Sequence, residues 1–181
     1  MVYDDRVGPV LLHGEILGMG RVNVPHDARD LPGEFPYRRP IEVRFGDTDA
    51  MGHVNNAVYL TYVELARAGY YRAVTGGRIG IGATEREQAL ILAEARLGFR
   101  APAFFGEILT VEVRTASIGR SSFTMEFRLT ADENPYGHAR LVATASTVQV
   151  GFDYDAGRVE PLRGDIVAAL EAFEGRRLRG A

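Results

Sequence analysis

The chain has 181 residues, 46% of them hydrophobic and 25% charged, a balance that suits one folded domain with a core of ordinary size. Its formal charge of -3 and pI of about 5.8 lack the basic excess that a general nucleic-acid or anionic-membrane binder needs, so neither partner is expected. Cysteine and lysine are absent, all 21 basic residues being Arg, which excludes disulfides, thiolate nucleophiles, Cys-ligated zinc and Schiff-base lysine chemistry.

The N-terminus carries early acidic residues, and the apolar run Val10–Leu12 is broken by His13, Gly14 and Glu15, so no signal peptide is expected. No apolar run approaches the ~20 residues that span a bilayer, and a cytoplasmic protein is expected. Residues 1–37 stand apart as an N-terminal arm holding four of the eight prolines, and residues 38–181 form the domain proper. Within the arm, Val7–Leu17 and Arg21–Val24 suit a hairpin across Gly18–Gly20, and His26–Pro36 a loop. The arm is expected to pack on the domain or on a partner subunit.

Ile41–Phe45 alternates apolar and polar, as a half-buried strand does. After a turn, Ala57–Val74 carries apolar residues at helical spacing, with Asn55 or Asn56 suited to the N-cap and Gly76-Gly77 to the C-terminus. Arg78–Arg86 reads as a Gly-rich loop. Strand patterns follow at Ile91–Phe99, Leu109–Val113, Phe123–Leu129 and Leu141–Gly151, joined by the turn-like segments Pro102–Gly106, Ser117–Ser121 and Asp132–Gly137. Such short connections predict antiparallel neighbours. Arg163–Phe173 reads as a closing helix. The expected class is α+β, a helix covered by the apolar face of a curved antiparallel sheet of about five strands, with at least a dimer as the assembly.

Chemistry concentrates between the first strand and the helix. Phe45-Gly46-Asp47-Thr48-Asp49-Ala50-Met51-Gly52-His53-Val54-Asn55-Asn56 packs two carboxylates, a His and two Asn ahead of a helix start. Helix N-termini offer free N–H groups and partial positive charge, which polarise a carbonyl oxygen. A neighbouring carboxylate acts as base or nucleophile. Other readings stand beside this one. Asp-Thr-Asp also suits an ordinary turn, Asp-X-Asp with His53 is a sparse metal set, and Glu64 with Arg67 suits a surface ion pair.

The string from Asp47 to Asn56, followed by Tyr59-Leu60-Thr61-Tyr62-Val63-Glu64-Leu65-Ala66-Arg67, resembles the hotdog-fold acyl-CoA thioesterases, in particular the 4-hydroxybenzoyl-CoA thioesterase-like family. The pattern there is Asp-X-Asp-X-X-Gly-His-X-Asn-Asn and then Tyr-X-X-Tyr-X-Glu-X-Ala-Arg, and each position is matched. The likeness runs over roughly residues 38 to 153, through Ala93–Pro102, Gly106-Glu107 and Ile118–Phe123. It implies a long central helix wrapped by the sheet, and homodimers or homotetramers with active sites at the subunit interface. It also implies hydrolysis of an acyl-CoA without cofactor or metal. Asp49 matches the catalytic carboxylate and Asp47 a structural one. His53 and Asn55 are candidates to orient the carbonyl, and Glu64 is a second candidate carboxylate, since another branch uses a helix-borne Glu. Tyr59 falls among the candidate substrate contacts, and Arg120, Ser121 and Ser122 match the turn that meets the CoA phosphates. Alternatives are an acyl-carrier-protein thioesterase, a non-catalytic acyl-CoA-binding protein, and a hotdog dehydratase or hydratase, whose motif is missing.

Overall fold

The computed structural model describes residues 31–80 and 87–179. The expected hairpin across Gly18–Gly20 and most of the Arg78–Arg86 loop lie outside them. The elements are β1 (Tyr37–Glu42), a single 3-10 turn (Phe45–Asp47), α1 (Val58–Thr75), β2 (Ile79–Gly80), β3 (Gln88–Phe99), β4 (Ile108–Ile118), β5 (Ser122–Ala131), β6 (Arg140–Asp153), β7 (Arg158–Val159) and α2 (Gly164–Glu174). The sheet order is β1-β4-β5-β6-β3-β2, with β7 added beside β6. Every pairing is antiparallel except β2 with β3. Five strands are long; β2 and β7 have two residues each.

The alternation of β4 and β5 explains the core. Leu109, Val111 and Val113 oppose Ala131, Leu129 and Phe127 in register. All six are buried on one sheet face, each large side chain stabilising by roughly 1.5–3 kcal/mol. Tyr59, Tyr62, Val63, Ala66 and Tyr70 form the apolar stripe of α1 that covers this face. A side chain at Gly69 would overlap the Tyr37 hydroxyl, so the glycine lets α1 approach β1 closely. Ile166, Val167 and Leu170 of α2 close the core. Tyr70 ties the layers together, its hydroxyl lying 2.6 Å from Glu174 of α2 and 2.8 Å from Thr115 of β4. The opposite face of α1, with Thr61, Glu64, Leu65 and Ala68, is exposed. Among the described residues no helix is long and apolar enough to cross a membrane.

Three expectations change in detail, and a bulge in β3 departs from simple alternation. The first strand is Tyr37–Glu42 rather than Ile41–Phe45. It is a sheet edge, where Pro40 is tolerated, and Phe45 has turned into the 3-10 segment. The N-cap of α1 is Ala57, without a side-chain cap; Asn55 instead accepts the Ala57 N–H at 2.9 Å, just outside the helix. In β3 the register shifts between Leu92 and Glu94, so Leu92, which opposes Gln149, shares a face with Ala95 and Leu97 and not with Glu94. Finally, β3 and β4 are not neighbours. Residues 100–107 carry the chain from one side of the sheet past β6 and β5 to the other.

Residues 31–36, grouped with the arm in the sequence, run along the outer sheet face. Phe35 is 4% exposed, its ring held between the guanidinium carbons of Arg114 at 4.5 Å and Arg128 at 4.2 Å from its centroid. Those arginines pair with Glu126 and Glu112 and also donate to the carbonyls of Pro32 and Leu31. The cations thus stack on an aromatic face while their charge is neutralised. Phe35→Ala is expected to lower stability by about 3 kcal/mol in urea unfolding, without changing turnover, because this face lies opposite α1.

Candidate active site

Asp47 and Asp49 are two residues apart and chemically unlike. Asp47 is 3% exposed. It accepts the Arg44 N–H at 2.9 Å, two Arg44 guanidinium bonds at 3.2 and 2.9 Å, and the Tyr62 hydroxyl at 2.8 Å. Burial pushes its carboxyl up, but the Arg44 and Tyr62 bonds outweigh this and hold it below the usual carboxylate range. A depressed carboxyl stabilises the fold above its unfolded pKa, and that contribution disappears as pH falls through the folded value. Asp47→Asn should therefore be less stable at neutral pH, and its melting temperature should change less than that of the parent as pH drops toward about 3.

Asp49 sits in a tight reversal in which Thr48 and Val54 form an antiparallel bridge. Its N–H reaches the His53 carbonyl at 3.1 Å, and its own carbonyl accepts from Gly52 at 2.9 Å. Gly52 has φ 80°, a left-handed conformation that a side chain would strain. The half-buried Asp49 carboxylate accepts the Met51 N–H at 2.8 Å and faces Asn55 Nδ2 at 3.5 Å. Its remaining acceptor positions have no partner among the described residues. Immediately beyond begins α1, whose start has no side-chain cap.

The other candidates are placed unevenly. Asn55 joins the Asp49 turn to α1. His53 is half-buried in the same turn, its Nδ1 3.3 Å from the Val54 carbonyl oxygen. Tyr59 is 2% exposed, packed on Tyr62 and Phe99, and within one chain it presents almost no surface. Burial, partly opposed by the Ala103 backbone, pushes its hydroxyl up to about 12. Glu64 lies on the exposed face of α1, 3.2 Å from Arg67, which also approaches Gln149 of β6 at 3.5 Å.

Arg120, Ser121 and Ser122 are at the opposite end of the molecule. They join β4 to β5, whereas the Asp49 turn sits beside residues 103–107 at the start of β4. The 11 residues of β4 put roughly 35 Å of strand between the two. Among the described residues no three His, Asp or Glu side chains gather to hold a metal ion.

The sequence did not reveal what holds the Asp49 segment. The Val43 N–H donates to the Glu107 carbonyl at 2.8 Å, the Gly106 N–H to Val43 at 3.0 Å, and the Val54 N–H to Ala103 at 2.8 Å. One connection thus grips both ends of the segment. Glu107 locks that connection: its carboxylate, 0% exposed, accepts Arg140 at 2.7 Å, Asn134 at 2.8 Å and the Phe104 N–H at 2.8 Å. Phe45 and Phe105, 78% and 51% exposed, meet edge to face beside the turn, with centroids 5.9 Å apart.

The site is thus a carboxylate turn before a helix without a side-chain cap, mounted on an antiparallel sheet. The model of the thioesterase-like superfamily matches residues 43–170, and the chain belongs to that family. It is a thioester hydrolase. A thioesterase from Thermus thermophilus, solved with coenzyme A and zinc, is 38% identical with a TM-score of 0.64, over 80% of this chain and 98% of that one. A thioesterase-superfamily protein from Jannaschia sp. CCS1 is 26% identical with a TM-score of 0.69, over 80% and 87%. Both likenesses place the architecture among hotdog folds. A 1,4-dihydroxy-2-naphthoyl-CoA hydrolase of Synechococcus elongatus is 27% identical over 132 residues, 71% of this chain and 89% of the relative.

Proposed function

We propose that the protein hydrolyses acyl-CoA to a free carboxylic acid and CoA, with Asp49 as the reacting carboxylate. The observation that carries this is the contrast within the Asp-Thr-Asp turn. Asp47 is saturated by Arg44 and Tyr62, while Asp49 keeps open acceptor positions at the start of α1. In one route the Asp49 carboxylate attacks the thioester carbonyl, expels CoA thiolate and leaves an acyl-aspartyl anhydride that water cleaves. In the other, Asp49 takes a proton from the attacking water and the thiolate leaves protonated. In either route, N–H groups at the uncapped start of α1, with Asn55 or His53, orient the carbonyl as negative charge develops on its oxygen. Glu64 is the second carboxylate in reserve.

The working unit is a homodimer or homotetramer in the cytoplasm. Beyond the two residues of β2, the outer edge of β3 has no strand neighbour among the described residues. Leu92, Phe99 and, on α1, Leu65 are exposed. The separation of the Asp49 and Arg120 turns along β4 favours a CoA held by Arg120–Ser122 of one chain and cleaved at Asp49 of another. The exposed Phe45–Phe105 pair and the naphthoyl substrate named for the Synechococcus protein favour a ring-bearing acyl group.

The test is thiol release from a panel of aromatic and straight-chain acyl-CoA esters, with one acyl group also presented on acyl carrier protein. Turnover of aromatic CoA esters is expected. Faster release from the carrier protein would reassign the substrate, and no release from any ester would overturn the proposal.

A further inference from the structure

The last residues of the described chain turn back along the sheet. After α2, the Ile118 N–H donates to the Leu178 carbonyl at 3.1 Å, and Ile118 bridges Arg179 in parallel. Leu178 is 0% exposed and anchors the segment in the core. Side chains alternate along an extended chain, and Arg177 and Arg179, on either side of Leu178, are exposed. The tail therefore lays two arginines beside the end of β4, two residues before Arg120. The Arg120 backbone is itself fixed, its carbonyl accepting from Leu162 at 3.0 Å, while its side chain is exposed.

None of these three guanidinium groups has an ion-pair partner among the described residues. The neighbouring Arg163 and Arg176 are engaged, the first with Asp165 and the second with the carbonyls of Thr115 and Ala116. The carboxylate facing the tail is Glu171. Its Oε1 is committed to the backbone N–H groups of Leu178 and Arg179 at 2.9 and 3.3 Å, so it fixes the tail's path. These bonds first, and the charges of Arg177 and Arg179 after them, hold its carboxyl low. The family match covers residues 43–170, so the tail lies beyond it.

We infer that Arg177 and Arg179 of the C-terminal tail join Arg120 in a phosphate-binding surface that takes the phosphorylated nucleotide end of a CoA ester. The inference rests on the acyl-CoA reading for its ligand and adds residues which that reading does not contain. Three exposed forked cations around one fixed turn match a ligand carrying a diphosphate and a separate ribose phosphate, since each guanidinium grips phosphate oxygens by paired, charge-assisted bonds. An acyl group on a short thiol has nothing for them to hold.

The experiment compares the full-length protein with Arg177→Gln/Arg179→Gln, which leaves Leu178 and Glu171 in place. Two thioesters of one acyl group are used, one of CoA and one of N-acetylcysteamine. Binding of adenosine 3',5'-bisphosphate is measured by calorimetry in parallel. The expected result is a roughly tenfold higher KM for the CoA ester, a less than twofold change for the short ester, and a similar tenfold loss of bisphosphate affinity. The tail's contribution should shrink at high salt, and the Lys/Lys variant should recover part of the loss. Unchanged bisphosphate affinity, or equal effects on both esters, would overturn the inference. If the parent protein cleaves neither ester, the acyl-CoA reading fails, and the calorimetry still decides whether the tail binds phosphate.

Discussion

Asp49→Asn is expected to lower kcat by about 10²–10⁴-fold while leaving KM and the melting temperature close to those of the parent. An amide retains one oxygen to accept the Met51 N–H, so the reversal from Thr48 to Val54 keeps its bond. The second oxygen faces only Asn55 at 3.5 Å, a contact too long to hold the turn. What the substitution removes is negative charge and basicity at a half-buried position, both of which either route needs. Kinetics on one acyl-CoA, with a thermal melt of the same preparation, check it. A variant that still turns over at the parent's rate moves the chemistry elsewhere, with Glu64 the next carboxylate to test.

Glu107→Ala is expected to destabilise the fold by about 3–5 kcal/mol. The substitution leaves Arg140 without its carboxylate in a site where its side chain is only 19% exposed, orphans the Phe104 N–H, and removes one of the two bonds donated by the Asn134 amide. The connection from β3 to β4 would loosen, and with it both ends of the Asp49 segment. Urea unfolding measures the stability loss. kcat should fall too, with more of the change in kcat than in KM, because the carboxylate proposed to react loses its fixed position before the substrate loses its contacts. Glu112→Gln is the comparison, since Glu112 is also buried and paired with Arg but on the outer face. It should lose stability without the same loss of kcat.

Local patterns proved legible because they need no distant partner. The helical period that predicts Ala57–Val74 yields Val58–Thr75, and the alternation at Phe123–Leu129 yields the buried face of β5. The contacts of the Asp49 carboxylate are equally local, closing within six residues, although the segment is anchored at both ends by residues 103–107. The β3-to-β4 crossing was not legible. Pro102–Gly106 has the length and composition of a hairpin turn, and only the pairing of β3 with β6 shows that the chain passes over two strands. Glu107 escaped for the same reason. As one acid in a turn it carries no mark of its side-chain partners, Asn134 and Arg140, which lie 27 and 33 residues away. Phe35 sits in a Pro-rich stretch with no period to mark it, and the arginines it binds are on two different strands. In β3 the one-residue bulge reassigns faces within a strand whose existence was plain.

The length of β4 has a consequence for how the protein depends on its own abundance. The Asp49 turn packs beside the start of β4 and the Arg120 turn follows its end, so under the proposed roles each chain would own two halves of different sites and no whole one. A lone chain would be silent with every residue present. Dilution below the dissociation constant of the assembly would then switch off hydrolysis as a threshold, and two subunits crippled at opposite ends would restore one working centre between them.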